Sequence, residues 1–162
     1  MSSIRDEIRT LAEAIERESV LIQRDALVDI FRDLHRVSRF GVGRLINKAA
    51  EFTGKKGAKT LKEKYGLYTD RLEDAAEVLS ILSESSRFLN YLEFDPALME
   101  IRTEGSLFVE AVPQSEKPVC GPLAAFFKGF LTEFLEKPHE VKELRCQAQG
   151  GEQCVFRVIP RR

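Results

Sequence analysis

The sequence contains no tryptophan, three cysteines, two histidines and two methionines among its 162 residues. Three thiols cannot all pair within one chain, and a reducing compartment would keep them as thiols, so metal ligation is the first role to test for them. A surplus of one charge is also missing: 25 Lys and Arg stand against 26 Asp and Glu, a net charge of −1. No uniform basic field is available to hold a phosphate backbone, which argues against nucleic acid as a partner. No apolar run approaches the roughly 18 residues a membrane span needs, and the opening Met1-Ser2-Ser3-Ile4-Arg5-Asp6-Glu7 is charged where a signal peptide would be apolar. The expectation is a cytoplasmic protein without a membrane span. What is abundant is apolar: 43% of residues are hydrophobic, and 11 phenylalanines concentrate the aromatic area in a side chain with no polar handle. That suffices for one domain with one core.

The first half reads as helical. Ser3 and Asp6 have the form of a capping box, and Ile4, Ile8, Leu11 and Ile15 recur at helical spacing, predicting an amphipathic helix over 3–18. Leu27, Ile30, Phe31, Leu34 and Val37 predict a second helix over 24–38. Gly41, Gly43, Gly54 and Gly57 read as breaks between short helices, and a further helix spans Asp70 to Ser85 with acids in its first turn. At Phe88 the period changes to two: 88–94 and 99–104 read as antiparallel strands, with Leu107–Val112 as a third strand. Gly121 and Pro122 open a helix in which Leu123, Phe126, Phe127, Phe130, Leu131 and Phe134 recur at three and four. Pro138 stops it, and strands over 140–148 and 153–159 turn at Gly150-Gly151. The fold class is α+β: a helical N-terminal half on an antiparallel sheet, with a Phe-rich helix before the terminal β-hairpin.

In that hairpin seven residues separate Cys146 from Cys154, and a turn at Gly150-Gly151 sets the two nearly opposite. Opposed strand residues have Cβ atoms roughly 4.5–5.5 Å apart, a separation that suits two thiolates on one zinc. Cys120 lies in a Pro-bounded loop that can fold onto the hairpin, and Glu143 is a nearby fourth ligand. Three inert core cysteines explain the same residues equally well, since cysteine is among the most buried residue types. Strand parity raises an obstacle: Glu143 and Cys146 differ by three positions and would face opposite ways in a regular strand. A bulge is needed to bring both to one metal.

Pro118-Val119-Cys120, Glu143-Leu144-Arg145-Cys146 and the run from Cys146 through Gly150-Gly151 to Cys154-Val155-Phe156 resemble the 4-vinyl reductase family domain. The resemblance covers about Phe88 to Ile159, with weaker similarity through the glycine-punctuated helices; residues 1–18 stand outside it as an N-terminal helical extension to a single domain over 19–162. It implies zinc held by three Cys and one Glu, and the intervals of 26, three and eight residues place these at Cys120, Glu143, Cys146 and Cys154. It also implies a fold like that of TRAPP-type vesicle-tethering subunits, usually homodimeric. The family's apolar ligand pocket corresponds to the region of Phe88, Leu92, Phe94, Phe108, Phe126, Phe127, Phe130, Phe134 and Phe156.

Four protein ligands leave no open coordination position, so the zinc site implied is structural. His35 and His139 lie in no pattern suggesting a nucleophile and base, Gly41-Val42-Gly43 is too short a fragment to hold a phosphate, and no enzymatic activity is expected. The expected function is that of a sensor-type domain binding a hydrophobic or aromatic small molecule. Its alternatives are a scaffold subunit with a filled core, or an accessory factor in tetrapyrrole vinyl reduction that draws its electrons from another protein. The cluster Lys55, Lys56, Lys59, Lys62 and Lys64 reads as a solvated helix face.

Overall fold

The structure, a computed structural model, describes residues 4–37 and 41–161. Ser3, half of the expected capping box, and Ser38 lie outside the described residues. Helix α1, Ile4–Glu18, turns Leu11 and Ala14 into the main core. Helix α2, Arg24–Val37, is held more lightly, by a satellite cluster of Val28 with Leu107 and Ala111.

Helix α3 runs unbroken from Val42 to Tyr65, which corrects the reading of short helices separated at glycines. Gly54 is helical because it lies at a crossing: a Cβ there would stand 2.2 Å from the Phe126 carbonyl oxygen. The partner helix α6, Gly121–Phe134, meets α3 reciprocally at Gly129, where a Cβ would stand 2.1 Å from the Glu51 oxygen. The two backbones touch, and the glycines serve contact between helices. α3 also buries Lys62, correcting its assignment to a solvated face. Its ammonium donates to the Glu133 carbonyl at 2.7 Å and to Glu136 at 3.0 Å.

Helix α4, Leu72–Ser85, buries Ala75, Ala76 and Leu79 and packs on strand β1, Tyr91–Asp95. β1 starts three residues later than expected, since Phe88 still belongs to the turn out of α4, donating its N–H to the Ser83 carbonyl. Strand β2, Glu100–Glu104, follows. The segment expected as a third strand is instead helix α5, Leu107–Ala111. The Ser106 hydroxyl accepts from the Val109 N–H at 3.2 Å and caps it, a local bond that the alternating apolar pattern does not reveal. α6 begins at the Pro-compatible first turn and presents its phenylalanines to strand β3, His139–Arg145. A 3-10 turn, Gln147–Gln149, leads to strand β4, Cys154–Pro160. The sheet is antiparallel in the order β1-β2-β4-β3. Among the described residues no helix is long and apolar enough to cross a membrane.

Candidate metal centre and adjoining cleft

The register between β3 and β4 shifts between Glu143 and Arg145: Glu143 faces Phe156, while Arg145 faces Val155. Two steps on β3 therefore oppose one on β4, and this bulge removes the parity obstacle. Glu143 and Cys146 come to the same side, and Cys154 opens the returning strand beside Cys146. Cys120 arrives from the N-cap of α6. The ligand atoms of Cys120, Glu143, Cys146 and Cys154 all lie within 4.8 Å of one another, close enough to hold one metal ion. The sulfur–sulfur distances are 3.9 Å for Cys120–Cys146, 3.8 Å for Cys120–Cys154 and 3.6 Å for Cys146–Cys154. All three cysteines are fully buried.

Polar neighbours hold this cluster in place. The Cys120 N–H donates to Glu143 Oε1 at 3.3 Å, the Gln147 N–H points at Cys154 Sγ at 3.3 Å, and the Ser106 hydroxyl lies 3.3 Å from Cys120 Sγ. Hydrogen bonds from Cys120 and Cys154 hold the Cys146 thiol low, and the same contact with Cys146 pushes Cys120 far up. Burial, reinforced by the Cys146 charge, pushes the Glu143 carboxyl up to about 8. Protein groups alone thus favour one thiolate of three; a cation at the centre would draw the remaining protons off.

The expected pocket residues divide into two groups. Phe127, Phe130, Phe134, Phe156 and Leu92 are packed in the main core, with the Phe127 and Phe156 rings edge-on at 5.3 Å and Phe130 and Phe134 stacked at 5.0 Å. Phe126 and Phe94 are half-buried at its margin. Phe88 and Phe108 belong to a separate aromatic group with Phe31, whose ring lies 4.5 Å from that of Phe108. Beside this group opens a cleft of about 540 Å³ between α2, α3 and the segment 115–122, lined by Phe31, Leu34, His35, Ile46, Asn47, Phe108 and the residues flanking Cys120. Except for Phe108, these residues escaped the sequence reading. Their signal, a pair of helix faces meeting a proline-bounded loop, exists only in three dimensions. His139 begins β3 as a buried residue, its ring 2.7 Å from the Lys137 carbonyl.

Residues 99–160 match the family model of the 4-vinyl reductase domain, a stretch that contains all four clustered ligands. The fold is similar to the phenol-responsive sensory domain of the transcription activator PoxR with phenol, at 18% identity and a TM-score of 0.71, covering 99% of this chain and 91% of that one. It is similar to a vinyl-4-reductase family protein from Methanocaldococcus jannaschii at 19% identity and 0.58, covering 100% and 98%. It is also similar to trafficking protein particle complex subunit 3 from Naegleria fowleri, covalently bound to palmitic acid, at 15% and 0.61, covering 86% and 95%. No protein of curated function matches.

Proposed function

We propose that this chain, which carries a 4-vinyl reductase domain over residues 99–160, is a cytoplasmic sensor-type domain. In this reading one structural zinc organises a binding site for a hydrophobic or aromatic small molecule. One observation carries the proposal: the segment that walls the cleft also delivers Cys120 to the metal cluster. Pro118 and Val119 precede the cysteine, Gly121 and Pro122 follow it, and all four line the cleft. The same segment is tied to the 3-10 turn after Cys146 by Ser115 N–H donating to the Ala148 carbonyl at 2.8 Å and by Gln149 Nε2 donating to the Glu116 carbonyl at 3.2 Å.

Zinc is favoured by spacing and ligand type. Zinc–sulfur bonds of about 2.3 Å in a tetrahedron separate the sulfurs by about 3.8 Å, against the 3.6–3.9 Å found here. Bound, it would supply charge and a tether; Cys120, Glu143, Cys146 and Cys154 would fill its coordination, leaving no position for substrate. The cleft's volume falls within the roughly 300–1,000 Å³ usual for small-molecule sites, and its walls are mainly apolar. That a structurally similar sensory domain is described with phenol supports the ligand class.

A second reading is favoured by exposed apolar residues: Leu21 is fully exposed, and Leu45 and Phe52 are about two-thirds exposed on α3. These suit a homodimer or a scaffold subunit. Metal content by mass spectrometry, with displacement of an apolar fluorescent probe by simple aromatics, separates the two. About one zinc per chain and a saturable probe site support the sensor reading; metal-free folded protein with no saturable site overturns it.

A further inference from the structure

The metal cluster and the cleft share more than one segment of chain. Ser106 is fully buried, and its hydroxyl has two neighbours: it accepts the Val109 N–H at 3.2 Å and lies 3.3 Å from Cys120 Sγ. A hydroxyl has one proton to give, and with its acceptor role filled by Val109, that proton is free for the sulfur. The preceding residue is fixed from the other side of the cluster. Gly105 N–H donates to Gln147 Oε1 at 2.9 Å, and the Gln147 N–H itself points at Cys154 Sγ. Gly105 takes φ +65°, and a Cβ there would meet the Asn90 side chain at 2.1 Å, so the turn is confined to this course. The Gly105–Ser106 turn is therefore connected to two of the three cysteines.

From that turn α5 extends directly to the cleft. Phe108 is one of its walls, and Leu107 and Ala111 form the satellite core that seats Val28 of α2. Arg32 of α2 donates to the Ala111 carbonyl at 3.3 Å, and Arg24 of α2 pairs with Glu110. α2 carries the opposite wall, Phe31 and Leu34. We propose that the Gly105–Ser106 turn couples the metal centre to the ligand cleft: the Ser106 hydroxyl donates to the Cys120 thiolate, positions it, and passes its position through α5 to Phe108 and α2. Ser106 is thus a positioning residue of the metal site, and metal and ligand affinities are linked reciprocally.

This inference rests on the proposed metal site, and its test tells the two apart. Wild type, Ser106→Ala and Ser106→Thr are loaded with cobalt as a spectroscopic stand-in, and metal is titrated away with a chromophoric chelator. Loss of a hydrogen bond to a metal ligand typically weakens binding roughly 10–100-fold. Ser106→Ala should lose metal at about that ratio and show a thiolate-to-cobalt charge-transfer band at lower energy, because an unbonded thiolate is the stronger donor. Ser106→Thr keeps the hydroxyl and should restore both. A lost helix cap alone would leave the band unmoved, so wild-type affinity and an unchanged band in Ser106→Ala overturn the proposal. Absence of metal uptake by wild type overturns the metal reading itself. If Ser106→Ala does not fold, the unmutated protein decides: exchanging zinc for the larger cadmium should shift the amide resonances of Phe108 and Val109, and unmoved resonances there refute the coupling.

Discussion

Replacing Gly54 by alanine should destabilise the protein, while the same change three residues on at Gly57 should stabilise it. At Gly54 the added Cβ would stand 2.2 Å from the Phe126 oxygen and 2.9 Å from the Phe130 nitrogen, both backbone atoms of α6. Ordinary contact begins near 3.4 Å, so the helices must separate by about 1.2 Å. A gap of 0.5–1 Å already forfeits roughly a quarter to a half of the dispersion energy of the atoms it parts. The atoms concerned belong to Ala58, Leu61, Phe127 and Phe130, all core residues. Overpacking of this kind costs about 1–3 kcal/mol, here at the upper end because backbone cannot rotate away. Exchange of glycine for alanine in a helix returns about 1 kcal/mol, leaving a net loss of about 2 kcal/mol. At Gly57 nothing lies within 4 Å, so only the gain of about 1 kcal/mol remains. In urea, with a slope of about 2 kcal/mol per M, the two variants should differ in midpoint by about 1.5 M. Coincident midpoints, or Gly54→Ala as the more stable variant, would refute the close crossing of α3 and α6.

Cys146→Ser with Cys154→Ser should abolish stoichiometric metal and lower the melting temperature by on the order of 10 °C, read by calorimetry beside metal analysis. Ile46→Trp should fill the cleft, weakening an apolar probe at least tenfold while the melting temperature holds; unchanged probe affinity would place the ligand elsewhere. For Lys62, burial pulls the pKa down, but hydrogen bonds to Glu136 and Glu133 outweigh it, and the net value is raised above 10.5. A raised folded value means the stabilisation is complete below about 10.5 and fades as pH climbs through the folded value. The stability difference between wild type and Lys62→Met should accordingly be flat through neutral pH and shrink in strong alkali, measured by denaturant titration at each pH.

The elements with a continuous period were legible in the sequence: α2, α4, α6 and the strands pairing around Gly150. The four metal-cluster residues were legible too, because thiol spacing carries chemistry independently of fold. What escaped depended on partners remote in sequence. Gly54 reads as a breaker until Phe126 is placed against it. Lys62 reads as solvated until Glu133 and Glu136 arrive from the far end of α6. Leu107–Val112 alternates like a strand, and only the Ser106 cap shows that the backbone takes the other course. The phenylalanines of α6 and the cleft of α2 and α3 are both apolar in sequence, and three-dimensional packing alone separates filled core from open wall.

The strand order carries a consequence for how the chain is made. β2 lies between β1 and β4, yet 51 residues separate Thr103 from its partner Cys154. On a ribosome adding about 5–20 residues per second, the β1–β2 hairpin waits roughly 3–10 s for β4. During that interval the inner edge of β2 offers unpaired backbone groups, and Ile101, fully buried at completion, faces water. Nascent copies side by side on one message would present the same edge to one another, which makes this pause the stage of the protein's life at which a chaperone has most to do.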